Sequence, residues 1–428
     1  MTDSGPYSQN VELVGYHDLE GRPGLKLALH RAEGRSYLYV ASLWDSGWSI
    51  LDITEPGDPR FVRWIEGPPN TWTIQIQVAE GRMITSLEHV PSGWGGGSDP
   101  PPEEGFLIWD LSDPEDPRRL GHWEGGAEGT HRNYYGGGRY VHATTTLPGF
   151  DGHVYAVVDI DDPTAPRLVG KWWMPGQHRE GGESFTPLDQ ERISSGAPFR
   201  DPAGAPWQAI SLHGAPYPAG DRVYAPWMRG GLVILDGSDP ANPTPISTLP
   251  LYPPLGSSIA LHTAMPLPER QLVVVNSEAL NERCAEPLNF AGIVDVSDET
   301  DPILTSLFPL PEVPEGYPYD DFCQKGGRFG PHNQHQPQDQ PHLQPVGDYI
   351  YLTYFNAGLQ IFDISNPRTP RIAGYYIPED PEERIGPLPT DLVTQVEDVL
   401  VDDRGYAYIT EKNSGIRILR FSPPGTAR

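Results

Sequence analysis

The 428-residue sequence lacks the features that mark several common classes of protein. With only two cysteines, Cys284 and Cys323, we expect no disulfide framework. No apolar run approaches the roughly 20 residues of a membrane-spanning helix, and the first residues do not have the pattern of a secretory signal. Basic side chains are scarce, 30 against 58 acidic ones, which gives a formal charge of −28. These absences predict a cytoplasmic protein that binds neither nucleic acid nor membrane.

Glycine and proline, by contrast, are abundant. The chain has 47 glycines and 49 prolines, together about 22% of its residues, whereas roughly 12% is usual for the pair. Such a content interrupts helices throughout, while 37% hydrophobic residues and 11 tryptophans suffice for a packed core. The composition therefore predicts many short strands joined by turns.

A sequence repeat organises these strands. Each copy consists of an apolar strand, a turn close to Asp-Ser-Asp-Pro, and a second strand that ends near an aromatic residue. In such a turn the Asp and Ser side chains bond nearby backbone amides, and proline sets φ. The aspartates that begin six of the turns are Asp52, Asp110, Asp159, Asp236, Asp295 and Asp363, and Arg420 takes this position in a seventh copy.

A second strand pair precedes each turn, built around a Gly/Asp/Arg bend such as GRYVHATT at 138–145. Seven units of four strands predict an all-β fold, a seven-bladed β-propeller in one domain, 1–428. The last unit lacks a fourth strand, and we expect the N-terminal residues 11–17 to complete this seventh blade and cover its edge. The predicted blades are approximately 24–65, 72–123, 130–173, 212–250, 260–308, 341–377 and 394–422. The predicted insertions, all on one face, are 90–105, 174–212, 279–291 and 308–341.

Two of the repeats carry a family resemblance. DIDDPTAPRLVGKW at 159–172 and DISNPRTPRIAGYY at 363–376 resemble the LVIVD-repeat family of bacterial propellers, and the resemblance extends over essentially the whole chain. The turn is also similar, over far less of the chain, to one in the selenium-binding-protein (methanethiol oxidase) propellers. The LVIVD resemblance implies the fold, but it implies no particular function because propellers host many.

Histidines recur at one position of the predicted blades. Four innermost strands begin with a histidine, namely His131, His213, His262 and His342. Inner strands of a propeller begin on one face, so we expect these side chains to meet at one mouth of the channel. Several imidazoles there suit a divalent transition metal, Fe, Cu, Mn or Zn. The alternative is that they bind only water or backbone carbonyls.

Other residues fill the same position in the remaining blades, or lie outside it. The equivalent residues are Lys26, Gln75 or Gln77, and Glu397. His332 and His335, in the segment 322–342, are further candidate metal ligands or part of a lid. The histidines outside the pattern, which we interpret as surface or packing residues, are His17, His30, His89, His122, His153 and His178.

Carboxylates are expected behind the histidines. The second strands end on the face where the inner strands begin, and a carboxylate there fixes the tautomer and orientation of a ligand histidine. His262 with Glu278 is the foremost such pair. The residues predicted to support the ligands or to transfer protons are Glu88, Glu278, Glu397 and Glu411. Cys323 is either a nucleophile or, as we favour, an inert thiol.

The long insertions add aromatic side chains, which either form an apolar substrate pocket or pack the loops against one another. These residues are Trp94, Phe185, Phe199, Trp207, Phe290, Tyr317, Tyr319, Phe322 and Phe329.

These patterns predict a metal-dependent enzyme that acts on a small, partly apolar or aromatic molecule. Oxidoreductase chemistry is favoured, because a four-histidine centre with carboxylate support looks like the non-haem iron arrangement of carotenoid-cleavage-type propellers, although their motifs are absent here. A metal-assisted lyase or hydrolase is close behind. Metal-free acid–base catalysis by the same residues and a non-catalytic interaction scaffold are the other hypotheses.

Overall fold

The computed structural model describes residues 7–91, 94–185, 210–252, 255, 257–286 and 289–425. In this part of the chain nearly all regular structure is strand. It contains 29 strands, the four-residue α-helix Phe322–Lys325, and the single-turn 3-10 helices Leu19–Gly21, Met228–Gly230 and Pro268–Arg270. No helix within these ranges is long and apolar enough to cross a membrane.

The strands form seven antiparallel sheets, which are the blades of an all-β, seven-bladed propeller, as predicted. The chain starts with β1 (Tyr7–Gln9) and β2 (Val11–His17). Blade 1 has β3 (Gly24–Ala32), β4 (Arg35–Ser42), β5 (Gly47–Asp52) and β6 (Arg60–Glu66). Blade 2 has β7 (Thr71–Trp72), β8 (Ile76–Ala79), β9 (Arg82–His89), β10 (Gly105–Asp110) and β11 (Arg118–Trp123). Blade 3 has β12 (Thr130–Tyr134), β13 (Tyr140–Thr145), β14 (Val154–Asp159) and β15 (Arg167–Trp172).

The other four blades follow the same order. Blade 4 has β16 (Tyr217–Ala219), β17 (Arg222–Pro226), β18 (Leu232–Asp236) and β19 (Thr244–Leu249). Blade 5 has β20 (Ile259–Leu267), β21 (Leu272–Glu278), β22 (Ala291–Asp295) and β23 (Ile303–Leu307). Blade 6 has β24 (Tyr349–Thr353), β25 (Leu359–Asp363) and β26 (Arg371–Ile377), and blade 7 has β27 (Val396–Val401), β28 (Tyr406–Glu411) and β29 (Gly415–Phe421).

The described residues fall into two compact units. The first holds blades 1, 6 and 7 and consists of the described residues among Met1–Glu66, Ala279–Glu286 and Ser306–Arg428. The second holds blades 2 to 5, among Gly67–Glu278 and Pro287–Thr305. Each unit has hydrophobic clusters of its own, formed by the apolar side chains that its strands direct between neighbouring sheets.

The N-terminal strands complete two blades of the first unit. β2 pairs antiparallel with β29, with Val11 opposite Phe421, so 11–17 is the fourth strand of blade 7, as predicted. β1 pairs with β26, with Tyr7 opposite Ile377, and adds an outer strand to blade 6. This second addition was not predicted, because a three-residue strand has too few residues to show a pattern.

The inner strand of blade 6 does not begin at 341. The amide of His332 donates to the carbonyl of Thr353 over 2.9 Å, and that of His335 donates to Tyr351 over 3.0 Å, so 332–335 is the segment that pairs with β24. This segment is polar and lies between Pro331 and Pro337, and it therefore lacks the apolar pattern of an inner strand. The predicted start of blade 6 is wrong, and the predicted insertion 308–341 contains its inner segment.

The repeated turn has the predicted chemistry, and the repeat also explains a glycine. Asp110 accepts a hydrogen bond from the backbone amide of Ser112 over 2.9 Å, and the other five copies that begin with aspartate repeat this contact. A Cβ atom added to Gly170 of β15 would lie 1.9 Å from the carbonyl oxygen of Pro240 in the turn of the next blade. Gly121 of β11 stands in the same relation to the turn after it. The repeat thus specifies both the turn and the outer strand that packs on it.

Cys284 and Cys323 form a disulfide, with their Cα atoms 5.4 Å apart. The expectations of no disulfide and of an inert thiol at Cys323 are therefore wrong. The two cysteines are 39 residues apart and lie in two different predicted insertions, and nothing in their spacing indicates that the insertions meet.

Candidate metal centre

Inner strands of four blades are interrupted at an equivalent position. The pairing of the inner strand with the second strand shifts register around Lys26 in β3, His131 in β12, His262 in β20 and Glu397 in β27. Such a bulge re-aims a side chain, and bulges are common next to active sites. The structure therefore gives a physical basis to the equivalence of these positions, which the sequence analysis drew from spacing alone.

Two of the predicted metal ligands, His213 and His262, lie close to the predicted supporting carboxylate Glu278 in the second unit. The Nε2 atom of His213 is 3.1 Å from Oε2 of Glu278, and Nε2 of His262 is 3.6 Å from the same oxygen. One ligand atom from each of these three buried residues lies within 4.8 Å of the other two. The ring of His131 adjoins this triad, with its centroid 4.5 Å from that of His213. The predicted pair of His262 and Glu278 is thus a contact within a larger cluster.

Glu88 joins His131 to a second imidazole, that of His153. Its Oε2 lies 2.6 Å from Nδ1 of His131, and its Oε1 lies 2.8 Å from Nε2 of His153. Burial raises the pKa of the Glu88 carboxyl, but the two imidazoles outweigh that effect and hold the pKa well below its ordinary value. Because an ionised carboxylate only accepts hydrogen bonds, each ring directs an N–H towards Glu88.

This arrangement determines the state of His131. With Nδ1–H donated to Glu88, the lone pair of a neutral ring lies on Nε2, an assignment that follows from the hydrogen-bond network. Burial lowers the pKa of His131 to about 3, although Glu88 opposes that shift. Nε2 is buried and has no hydrogen-bond partner among the described residues. A buried nitrogen of this kind is suited to a ligand.

The low pKa of His131 bears on whether this ring is a general base or a metal ligand. A ring with a pKa of about 3 is a poor general base near pH 7, whereas neutral imidazole is the form that binds metals. Burial also lowers the pKa of His213, against the opposing effect of Glu278. Both shifts argue against metal-free acid–base catalysis by these two rings.

His153 had been interpreted as a surface or packing residue, and this interpretation missed its place in the cluster. It stands directly before β14, whereas His131 lies at the start of β12. Both strands pair with β13, and Thr145 at the end of β13 faces the first residue of each. The starts of the first and third strands of a blade therefore lie at the same end. The sequence analysis used only the first of these two positions.

Glu397 lies in the first unit, in a buried cluster of its own. Its Oε1 is 3.0 Å from Nη2 of Arg328 and 2.6 Å from Nζ of Lys412, and its Oε2 is 3.0 Å from Nδ1 of His332. Burial raises the pKa of the Glu397 carboxyl, but these neighbours hold it well below its ordinary value. Burial lowers the pKa of Lys412 to about 8. Both oxygens of Glu397 are thus engaged in holding cationic or N–H groups.

His335 and His342 do not have the geometry that was predicted for them. Nδ1 of His335 accepts from the amide of Val401 over 3.1 Å, and Nε2 donates to the carbonyl of Gln344 over 2.7 Å, so neither nitrogen is available to a metal. The carbonyl of His342 accepts from Asp403, just beyond the end of β27, whereas Glu397 lies at the start of that strand. His335 as a ligand and His342 as the start of an inner strand are both wrong.

Glu411 holds its own loop in place. Oε1 accepts from the amide of Gln395 over 2.7 Å, and Oε2 accepts from the amide of Asn413 over 2.9 Å and the hydroxyl of Ser414 over 2.6 Å. Burial raises the pKa of this carboxyl. These contacts account for Glu411 as a loop anchor and give no support to the predicted role in proton transfer.

Among the described aromatic residues of the insertions, Trp94 is linked to the histidine cluster through Trp72. Trp94 packs edge-on against Trp72 at a centroid distance of 5.4 Å, and Trp72 lies 6.3 Å from His131. Trp72 thus adjoins His131, and Trp94 contacts Trp72. Phe290, in contrast, belongs to the hydrophobic core of blades 4 and 5.

The aromatic residues of 308–341 pack against one another in the first unit. This is the second of the two roles expected for them, loop packing and not a substrate pocket. Tyr317 contacts Phe322 at 5.6 Å, and Phe322 stacks on Phe329 at 5.2 Å. Phe199 and Trp207 lie outside the described residues.

A cavity of about 780 Å³ in the second unit is not part of this cluster. It is lined by Arg222, Tyr224 and Glu299, among others, and Nε of Arg222 donates to Glu299 there over 2.6 Å. β17 runs from Arg222 at this cavity to Pro226, whose carbonyl accepts from the amide of His213. The cavity is therefore a strand length away from the histidines, and we base no site on it.

Comparison with known proteins gives a family match and a distant structural match. The family model described as LVIVD repeat matches residues 220–248 and 345–377. No curated protein matches the chain. A crystal structure of the computationally designed Ika8 protein aligns with 96% of this chain and 100% of its own length, with 10% sequence identity and a TM-score of 0.49. The chain carries LVIVD repeats in a seven-bladed β-propeller, which is consistent with an LVIVD-repeat propeller family.

Proposed function

We propose that the protein is a metal-dependent enzyme whose divalent transition metal binds between His213, His262 and Glu278. The observation that carries the proposal is that one ligand atom of each residue lies within 4.8 Å of the other two, with all three side chains buried. Histidines too far apart to share an ion would have favoured an interaction scaffold instead. His131 is outside this three-residue group and lies beside it, with its ring centroid 4.5 Å from that of His213 and with its Nε2 unpartnered among the described residues.

The two imidazoles and the carboxylate of this triad favour particular metals and reaction classes. Two imidazoles and one carboxylate with open positions are typical of non-haem Fe(II) oxygenases, which supports an oxidoreductase as the first hypothesis. The same donors also bind catalytic zinc, which activates a water molecule, so a metal-assisted hydrolase or lyase is the second. Trp72, with its ring centroid 6.3 Å from that of His131, and Trp94, which packs on Trp72, support a small, partly apolar or aromatic substrate.

Elemental analysis of protein purified without a histidine tag tests the proposal. We expect close to one equivalent of metal in the native protein and little in His262→Ala or Glu278→Gln. His342→Ala is the matched control, because His342 is half-buried in the first unit beside Asp403, and this variant keeps its metal. A native protein with no more metal than His262→Ala after incubation with Fe(II), Zn(II), Mn(II) or Cu(II) contradicts the proposal.

A second measurement separates the two chemistries. Protein reconstituted with Fe(II) without oxygen should bind nitric oxide, an oxygen analogue, at an open coordination position and give the paramagnetic resonance signal of an iron–nitrosyl complex. Preferential retention of zinc by the purified protein, with no nitrosyl signal after iron reconstitution, favours the hydrolase or lyase instead.

A further inference from the structure

The environment of His153 extends the candidate centre beyond its ligands. Within the described residues, the side chains that donate to Glu88 are His131 and His153, one to each carboxylate oxygen. The backbone of Trp72 pairs with that of Glu88, and this pairing fixes the strand but not the carboxylate plane. The orientation of Glu88 therefore depends on both imidazoles.

The backbone of His153 is itself fixed to the segment that carries a ligand. Its amide donates to Oγ of Ser211 over 2.8 Å, and its carbonyl accepts from the amide of Leu212 over 3.1 Å and from Nε2 of Gln177 over 3.1 Å. Leu212 directly precedes His213. His153 thus contacts, on one side, the carboxylate that orients His131 and, on the other, the backbone that leads to His213.

We propose that His153 is a positioning residue of the metal centre: it binds no metal, but through Glu88 it holds the ring of His131 in place beside His213 of the triad. This inference rests on the proposed function, since it presupposes a metal at His213, His262 and Glu278. Without His153 one oxygen of a buried carboxylate loses its donor, and the carboxylate is free to turn away from His131. Outer hydrogen bonds of this kind contribute roughly 10- to 100-fold to metal affinity.

The experiment uses the full chain and Co(II) as the probe, because the visible spectrum of Co(II) reports the geometry of its ligands. We expect His153→Ala to weaken Co(II) binding about 10- to 100-fold and to change the spectrum. His153→Gln retains an N–H group that can reach Glu88, so we expect it to restore most of the affinity and the native spectrum. Glu88→Gln, which no longer accepts from both rings, should behave like His153→Ala.

His142→Ala is the matched control. His142 is another histidine of blade 3, and its Nδ1 contacts the Tyr155 hydroxyl over 2.6 Å, not Glu88. A loss of Co(II) affinity in this variant equal to that of His153→Ala would assign the effect to general packing and overturn the inference. Native affinity in His153→Ala, or no recovery in His153→Gln, overturns it as well.

The outcomes also separate this inference from the proposed function. If the native protein binds no Co(II), the proposed function fails. If it binds Co(II) and loses it in His262→Ala but not in His153→Ala, only the role of His153 fails. Circular dichroism and gel filtration show whether His153→Ala folds. If it does not, the Co(II) affinities of His153→Gln and Glu88→Gln are compared. Native-like affinity in both variants overturns the positioning role of His153.

Discussion

Removal of the disulfide should lower stability without changing the native structure around it. The Cys284–Cys323 bond closes a loop of about 40 residues, and the chain-entropy relation gives a contribution of about 4 kcal/mol to the free energy of unfolding at 25 °C. Noncovalent contacts also hold this region: the amide of Arg283 donates to Gly327 over 2.8 Å, and Glu282 accepts from Thr390 over 2.7 Å. Since these contacts persist in a Cys→Ser variant, the loss arises mainly from the greater entropy of the unfolded chain.

The assay compares three forms of the protein in urea: native, reduced, and the double variant Cys284→Ser/Cys323→Ser. We expect the unfolding curves of the reduced protein and the double variant to coincide, both about 4 kcal/mol less stable than the native protein. Thiol titration in denaturant should find free thiols only after reduction. Two reactive thiols before reduction, or a double variant as stable as the native protein, refutes the reasoning.

Three further predictions concern packing, pH and metal. Gly170→Ala brings a Cβ to within 1.9 Å of a facing proline carbonyl and should cost about 1–3 kcal/mol in urea unfolding, whereas Gly347→Ala, with no atom within 4 Å, should cost far less; equal losses contradict the packing explanation. Burial lowers the pKa of His142 and of His335 to about 4 from 6.5, so unfolding takes up protons as the pH falls from 6.5 to 4. The stability that is fully present above pH 6.5 should fall by about 3 kcal/mol for each ring at pH 4, and a urea midpoint that is unchanged between pH 7 and pH 4 contradicts this. Metal at 100 times its dissociation constant should raise the unfolding free energy by about 2.7 kcal/mol, an increase that thermal melts should not show for variants without the triad.

Most of the fold could be predicted because the residues of the repeat favour particular backbone conformations. The Asp110 turn and the glycine at 170 specify a bend and a close approach, and both are legible in a single sequence. The exceptions are segments whose partners are remote. The inner segment 332–335 and the strand Tyr7–Gln9 are too short or too polar to show a pattern, and only their hydrogen bonds to β24 and β26 reveal them.

The part of the candidate site that lies at the start of the inner strands could be predicted, whereas the part at the start of a third strand could not. His131, His213 and His262 follow from the start of the inner strands. His342 was wrong because the inner segment of blade 6 had been placed too late in the chain. His153 was missed because the same logic, extended to the third strand of a blade, had not been applied.

The residue at the bulge of the inner strand differs from blade to blade in charge and chemical type. In the first unit it carries Lys26, whose Nζ is 2.7 Å from Oδ1 of Asp398, and Glu397, which is paired with Arg328; buried charge is balanced there by opposite charge. In the second unit it carries His131 and His262, whose neighbours are carboxylates and further imidazoles. In blades 2 and 3 the turn and the outer-strand glycine fix the backbone, whereas the bulge re-aims a side chain. The same backbone device therefore carries ion-paired charges in one unit and, in the other, His262 of the candidate metal centre and its neighbour His131, so the two units differ in the residues that occupy the bulge.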